Sequence, residues 1–150
     1  MKPLIVLLIT FVTALLLLHF IHGGWALQLP AMIGMSAMLL LTASGHFIFV
    51  KGMVMMLPPF IPAPNAIIYV TGVIEILAAI GLLIPSLRLL TAWCLFIFFI
   101  LILPSNIYAA TKQVDLQKAT HSGPGLSYLW FRVPLQLFFL AWVYGFGING

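Results

Sequence analysis

Apolar residues gather in five runs along the chain, at about Pro3–Ile21, Leu29–Val50, Ala66–Ile84, Leu87–Ala109 and Leu126–Ile148. Each is close to the ~20 residues that a helix needs to cross a hydrocarbon core about 30 Å thick. The pattern predicts an all-α polytopic membrane bundle of five spans, with an N-terminal helix over 1–24 and a four-helix bundle over 25–150. Lys2 followed by an apolar stretch resembles the start of a signal peptide. The stretch from Leu4 to Leu18 is long, however, and His19-Phe-Ile-His22-Gly-Gly-Trp25 offers no small-x-small cleavage site, so the first helix reads as retained. Two connections are more than turns. Lys51–Asn65 carries four prolines and cannot continue the second helix, yet it stays apolar and is expected in the interface or dipping under the bundle. Thr111–Gly125 is the one properly polar loop.

Composition agrees: 64% of residues are hydrophobic and 5% charged, far from soluble averages. The six cations are scattered, which does not suggest nucleic-acid binding. Cys94 is the single cysteine, so neither a disulfide framework nor a dithiol centre can form within the chain. Charge does fix an expected orientation. With the N-terminus inside, Lys2, Lys51, Lys112 and Lys118 fall on the cytoplasmic side and only Arg88 outside, the bias expected of a plasma membrane protein such as one of the bacterial inner membrane. Tyr69, Tyr108, Tyr128 and Trp130 then mark the inner interface, and Trp25, Trp93, Trp142 and Tyr144 the outer one.

The chemistry lies in the few polar residues inside the runs. Glu75 is one of only two acids. It is about nine residues into the third run, or roughly 14 Å deep. A carboxylate there costs on the order of 2.5–3.5 kcal/mol by insertion scales, so a partner or a task must retain it. His46 near the end of the second run, Asn106 near the end of the fourth, and Arg132 with Gln136 near the start of the fifth all fall in the same half of the membrane. Arg132 has the reach to pair with Glu75 and lower the cost of both charges. The stripe Thr71/Gly72, Glu75, Ala79 lets a neighbouring helix come close.

Each residue also has a purely structural reading. Glu75 and Arg132 as a clasp fixing helix order, Arg132 snorkelling to headgroups, His46 bonded to a carbonyl, Asn106 capping a helix end beyond Pro104, and Gln136 bridging two helices all fit the same positions. Other candidates are weaker. His19 and His22 share a face without an acid or thiol beside them, which argues against a metal site. A haem would have to use His46 with loop His121. Met53, Met55 and Met56 suit a cuprous ion less well than they suit adaptable apolar filler.

Over about Gly34 to Phe146 the chain resembles the DoxX/DoxD-like small membrane proteins. The resemblance is carried by Gly45-His46-Phe47, Pro58-Pro59-x-x-Pro62-x-Pro64, Tyr69-x-x-Gly72-x-x-Glu75 with Gly81-Leu-Leu-Ile-Pro85, Pro104-Ser-Asn106-Ile-Tyr-Ala, and Arg132-Val-Pro-Leu-Gln136 followed by Trp142. It implies a four-helix bundle to which the first helix is an addition. It also implies kinship with membrane subunits of thiosulfate:quinone oxidoreductase.

Two functional expectations result. In one, the protein is a quinone- or redox-associated membrane subunit, with Glu75, Arg132 and His46 as catalytic candidates and Asn106, Gln136 and Tyr69 as ligand-binding ones. No redox centre is recognisable in the chain, so electrons would come from a partner protein. In the other, the same pocket binds or isomerises a different lipid-soluble molecule, or the polar core only serves assembly, homo-oligomers included. The binding readings place the cluster beside a cavity open toward Pro58–Pro64, whereas a purely structural core would be close-packed, with each polar group bonded to another and no void. The orientation is testable directly: a topology reporter fused after Gly150 is expected to read external, and one inserted between Lys112 and Lys118 cytoplasmic. The opposite readout would reverse the assignment.

Overall fold

The computed structural model describes residues 2–150 and is an all-α bundle. Its helices are α1 (Lys2–His22), α2 (Gln28–Ile48), the short α3 (Val50–Val54), α4 (Pro64–Leu83), α5 (Pro85–Thr111) and α6 (Leu129–Trp142). A 3-10 turn at Gly125–Tyr128 leads into α6, and a π-helical turn at Val143–Ile148 extends it. Five helices are long and apolar enough to cross a membrane: α1, α2, α4, α5, and α6 with its two extensions over Gly125–Ile148. The protein is therefore a membrane protein. At 21 residues, α1 and α2 are each about 31 Å long.

The elements follow from local chemistry. Pro64 and Pro85 sit in the first turns of α4 and α5, where a missing N–H costs nothing. Only Ile84, extended at φ −90° and ψ 113°, separates those two helices. Pro104 and Pro134 lie inside α5 and α6, which run on through them. Between Lys51 and Asn65 the helix does resume, as α3, before the prolines end it.

The bundle has two unlike ends. One carries Lys51, Lys112 and Lys118 and is called here the lysine end; the other carries Arg88. Toward the Arg88 end lies the dry core, where Met32, Met35, Leu39, Leu82, Leu95 and Val143 are fully buried. There α6 is tied to α2: the Trp142 indole donates to the Ala31 carbonyl at 3.2 Å, and Gln28 donates to the Phe146 carbonyl at 3.3 Å. Toward the lysine end α5 and α6 part from α2 and α4, leaving a wedge that α3 and the 112–124 loop close. α1 lies along α2, its Leu7 and Phe11 against Gly34, and this register brings Lys2 beside the wedge rather than level with Lys51.

α2 and α4 form the tightest seam. Ser36 donates to the Ala79 carbonyl at 2.8 Å, and Gly72 lies so close to α2 that a Cβ there would come within 2.8 Å of the His46 Cβ. Gly72→Val is expected to push the two helices apart at a cost of about 1–3 kcal/mol. Thermal unfolding in lipid nanodiscs measures it, and an unchanged midpoint would refute the close approach.

Candidate functional site

Five of the six sequence-nominated residues surround one cavity of about 480 Å³ at the lysine end of the bundle: His46, Glu75, Asn106, Arg132 and Gln136. Its remaining walls are mostly apolar, with Met38, Phe98, Phe99, Ile102 and Phe139 among them. The site is built from the ends of four helices, each contributing the face that its neighbours leave open.

Glu75 is only 4% exposed. It stands twelve residues into α4, one turn beyond Thr71, which also borders the cavity. Its Oε2 accepts a hydrogen bond from the Thr42 hydroxyl at 2.8 Å and lies 3.5 Å from His46 Nδ1. That same hydroxyl is 3.0 Å from the Leu39 carbonyl, so one hydrogen lies between two acceptors. His46 Nδ1 is also 3.0 Å from the Thr42 carbonyl. A carbonyl can only accept, so Nδ1 carries a hydrogen, and in the neutral form of the ring Nε2 is the nitrogen with the lone pair. Thr42 and His46 are one turn apart on α2, which is why a single helix face grips the carboxyl from two levels.

Arg132 does not pair with Glu75, contrary to the sequence expectation. Among the described residues, the ion-pair geometry present is that of His46 with Glu75. The Arg132 Nη1 donates instead to Asn106 Oδ1 at 2.7 Å, and the guanidinium lies 5.5 Å from the centre of the Tyr128 ring, a cation–π distance. The reason is local competition: Asn106 and Tyr128 lie near Arg132 at its own membrane level, while Glu75 is satisfied from α2. Asn106 does not cap a frayed end, because α5 continues to Thr111. Gln136 Nε2 donates to the Phe99 carbonyl at 2.8 Å, bridging α6 to α5 as the structural reading has it, while its side chain still borders the cavity.

Tyr69 is the sixth candidate, and it lies outside the cavity. Its ring is 46% exposed and packs beside Phe47. Six residues before Glu75, it is turned about 120° away from that face, whereas Ile68 and Thr71 point inward. The mouth also differs. Met53, Met56 and Leu57 line it, together with Leu116 and Gln117 of the polar loop; the Pro58–Pro64 segment does not. Elsewhere, His19 stacks on Trp25 at 3.9 Å.

Thr42 is the residue that sequence reasoning missed. Its signal was present as a hydroxyl one turn deeper than His46 on the same face, but threonine is common in membrane helices and carries no charge to draw notice. Thr42→Val is expected to cost about 1–3 kcal/mol by leaving the buried carboxyl short of a donor. In double-mutant cycles of thermal stability, Thr42→Val with Glu75→Gln should couple by at least ~0.5 kcal/mol, and Glu75→Gln with Arg132→Gln should be additive within about that amount. The reverse order would overturn the observed pairing.

No curated protein and no solved structure matches the chain. Residues 35–146, from the first third of α2 into the π-helical turn, match the family described as Domain of unknown function (DUF8561). That stretch contains His46, Glu75, Asn106, Arg132 and Gln136 and most of the chain, and the protein belongs to this family.

Proposed function

We propose that this protein binds a lipid-soluble small molecule bearing carbonyl or hydroxyl groups, a quinone being the class that suits the site best, and exchanges protons with it at Glu75 and His46. One observation carries the reading: an apolar cavity of about 480 Å³ bordered by an acid, a histidine, an arginine and two amides. That volume falls within the ~300–1,000 Å³ of small-molecule sites, which typically combine apolar walls with a few fixed polar groups.

The roles divide by chemistry. Arg132 and the amide groups of Asn106 and Gln136 supply donors for a carbonyl oxygen, and the apolar walls take the ring and tail. When a hydroquinone is oxidised, each hydroxyl loses a proton and the electrons leave together with them. The His46 Nε2 lone pair and the Glu75 carboxylate are the bases at hand, and the electrons pass to a partner redox protein. As Glu75 gains or loses a proton, the Thr42 hydroxyl turns between the carboxyl and the Leu39 carbonyl, so neither state is left without a hydrogen bond. The resemblance to DoxX/DoxD-like proteins favours a shared role for the polar cluster, and the quinone class is chosen on the site's apolar walls and donors. In this reading the lysine end is cytoplasmic in a plasma membrane, since Lys51, Lys112 and Lys118 gather there and Arg88 lies opposite.

The test is direct binding. Protein in nanodiscs, titrated with a short-chain benzoquinone or naphthoquinone and followed by native mass spectrometry, should bind saturably at one molecule per chain. Arg132→Gln and Glu75→Gln should each weaken binding by about tenfold, equivalent to ~1.4 kcal/mol. Non-saturating partition into lipid, or equal affinity in both variants, would sink the proposal.

A further inference from the structure

A second cavity of about 540 Å³ lies on the loop side of the first. Asp115, Tyr128, Ala109 and Ala110 border it, with Val114 and Pro124. The two cavities share a wall. Lys2, Met56, Asn106, Leu116, Gln117 and Arg132 border both, so the Arg132–Asn106 hydrogen bond stands where they meet.

The charges around this junction point to water. Lysine and arginine at membrane depth face a bundle interior or a water-filled space, because hydrocarbon leaves them unsolvated. Arg132 is held by Asn106 and Tyr128, and Lys2 is brought to the same wall by the register of α1 on α2. Across the far side of the second cavity, the 112–124 loop is tightly built. Asp115 Oδ1 accepts from the backbone N–H groups of Gln117 and Lys118, both at 3.0 Å, and the Asp115 N–H donates to the Thr120 carbonyl at 2.7 Å. The Gly123 N–H donates to the Gln113 carbonyl at 2.7 Å. Leu116 is thereby pressed onto α3, where its carbonyl fills the place of a side chain at Gly52. Leu116 and Gln117 thus form a fixed rim, and like Arg132 they border both cavities.

We propose that the two cavities form one aqueous passage from the lysine end to Glu75 and His46, with the Arg132–Asn106 hydrogen bond as its constriction. The passage deepens the proposed function by giving the side from which the site exchanges protons and water. It rests on that reading only for its purpose; the route itself requires no quinone. Arg132 is then a positioning residue for the constriction as well as a donor to the ligand.

Thiol accessibility tests the route without any ligand. With Cys94→Ala as background, Ser105→Cys places a reporter in the inner cavity and Lys112→Cys marks the lysine side of sealed vesicles. A charged, water-soluble methanethiosulfonate should label Ser105→Cys about tenfold faster from the side that labels Lys112→Cys than from the other. Ala110→Trp, which fills the second cavity, should slow that labelling about tenfold. Asp115→Ala, which undoes the loop turn outside the bundle, should speed it, and it serves alone if Ala110→Trp does not fold. Equal rates from both sides, labelling only by an uncharged lipid-soluble reagent, or rates indifferent to the loop variant would overturn the passage. Vectorial labelling without quinone binding would keep the route and remove the quinone.

Discussion

A carboxyl in the middle of an apolar helix has to be hydrogen-bonded by its neighbours, and the rest of this bundle is arranged around that need. Glu75 is served wholly from α2, by Thr42 and His46. For α2 to reach it, the two helices must run almost backbone to backbone, which Gly72 and Ala79 permit. The seam then has three contacts in antiparallel register, two hydrogen bonds (Ser36 to Ala79 and Thr42 to Glu75) and the close packing of His46 on Gly72. Small residues and hydrogen bonds are what hold helices together where lipid is as apolar as the side chains. The same contacts that satisfy the acid therefore set the geometry of the protein's central pair.

The second pair, α5 and α6, is held differently at its two ends. Trp142 and the π-helical turn bind it to α2 near Arg88, and Gln136 joins its members to each other. Among the described residues nothing comparable draws α6 to α2 beside Arg132, whose guanidinium is occupied by Asn106 and Tyr128. The space between the pairs is a consequence of where the fastenings lie. Its polar lining comes from residues bonded on one side and open on the other, a combination suited to a ligand and ill-suited to a closed core.

Much of this was legible from residue order. Five apolar runs gave five helices because length and hydropathy leave a membrane chain few alternatives, and antiparallel succession brings His46, Asn106, Arg132 and Gln136 to one end whatever the packing details. Pairing was less legible. Arg132 and Glu75 are opposite charges within reach, but which neighbour each takes depends on helix rotation and stagger, and a run apolar on all sides encodes neither. Tyr69 shows the same limit: it belongs to a recognisable motif with Glu75, yet one-third of a helical turn sets it on the outer surface. Met53 and Leu57, rather than the prolines after them, line the mouth because α3 forms before the chain breaks.

The first helix lies outside the stretch that matches the family, although it is no mere appendage. Leu7 is fully buried, Phe11 stands edge-on to Trp142 at 5.1 Å, and Lys2 and Pro3 border the cavity. Its N-terminal end works as a side wall. With it in place, Lys2 and Pro3 complete the wall that both cavities share. Those two residues are the part of the lining that the family stretch does not supply. One helix outside the family stretch thus sets a cation at the junction of two cavities whose other charged residues all lie within that stretch.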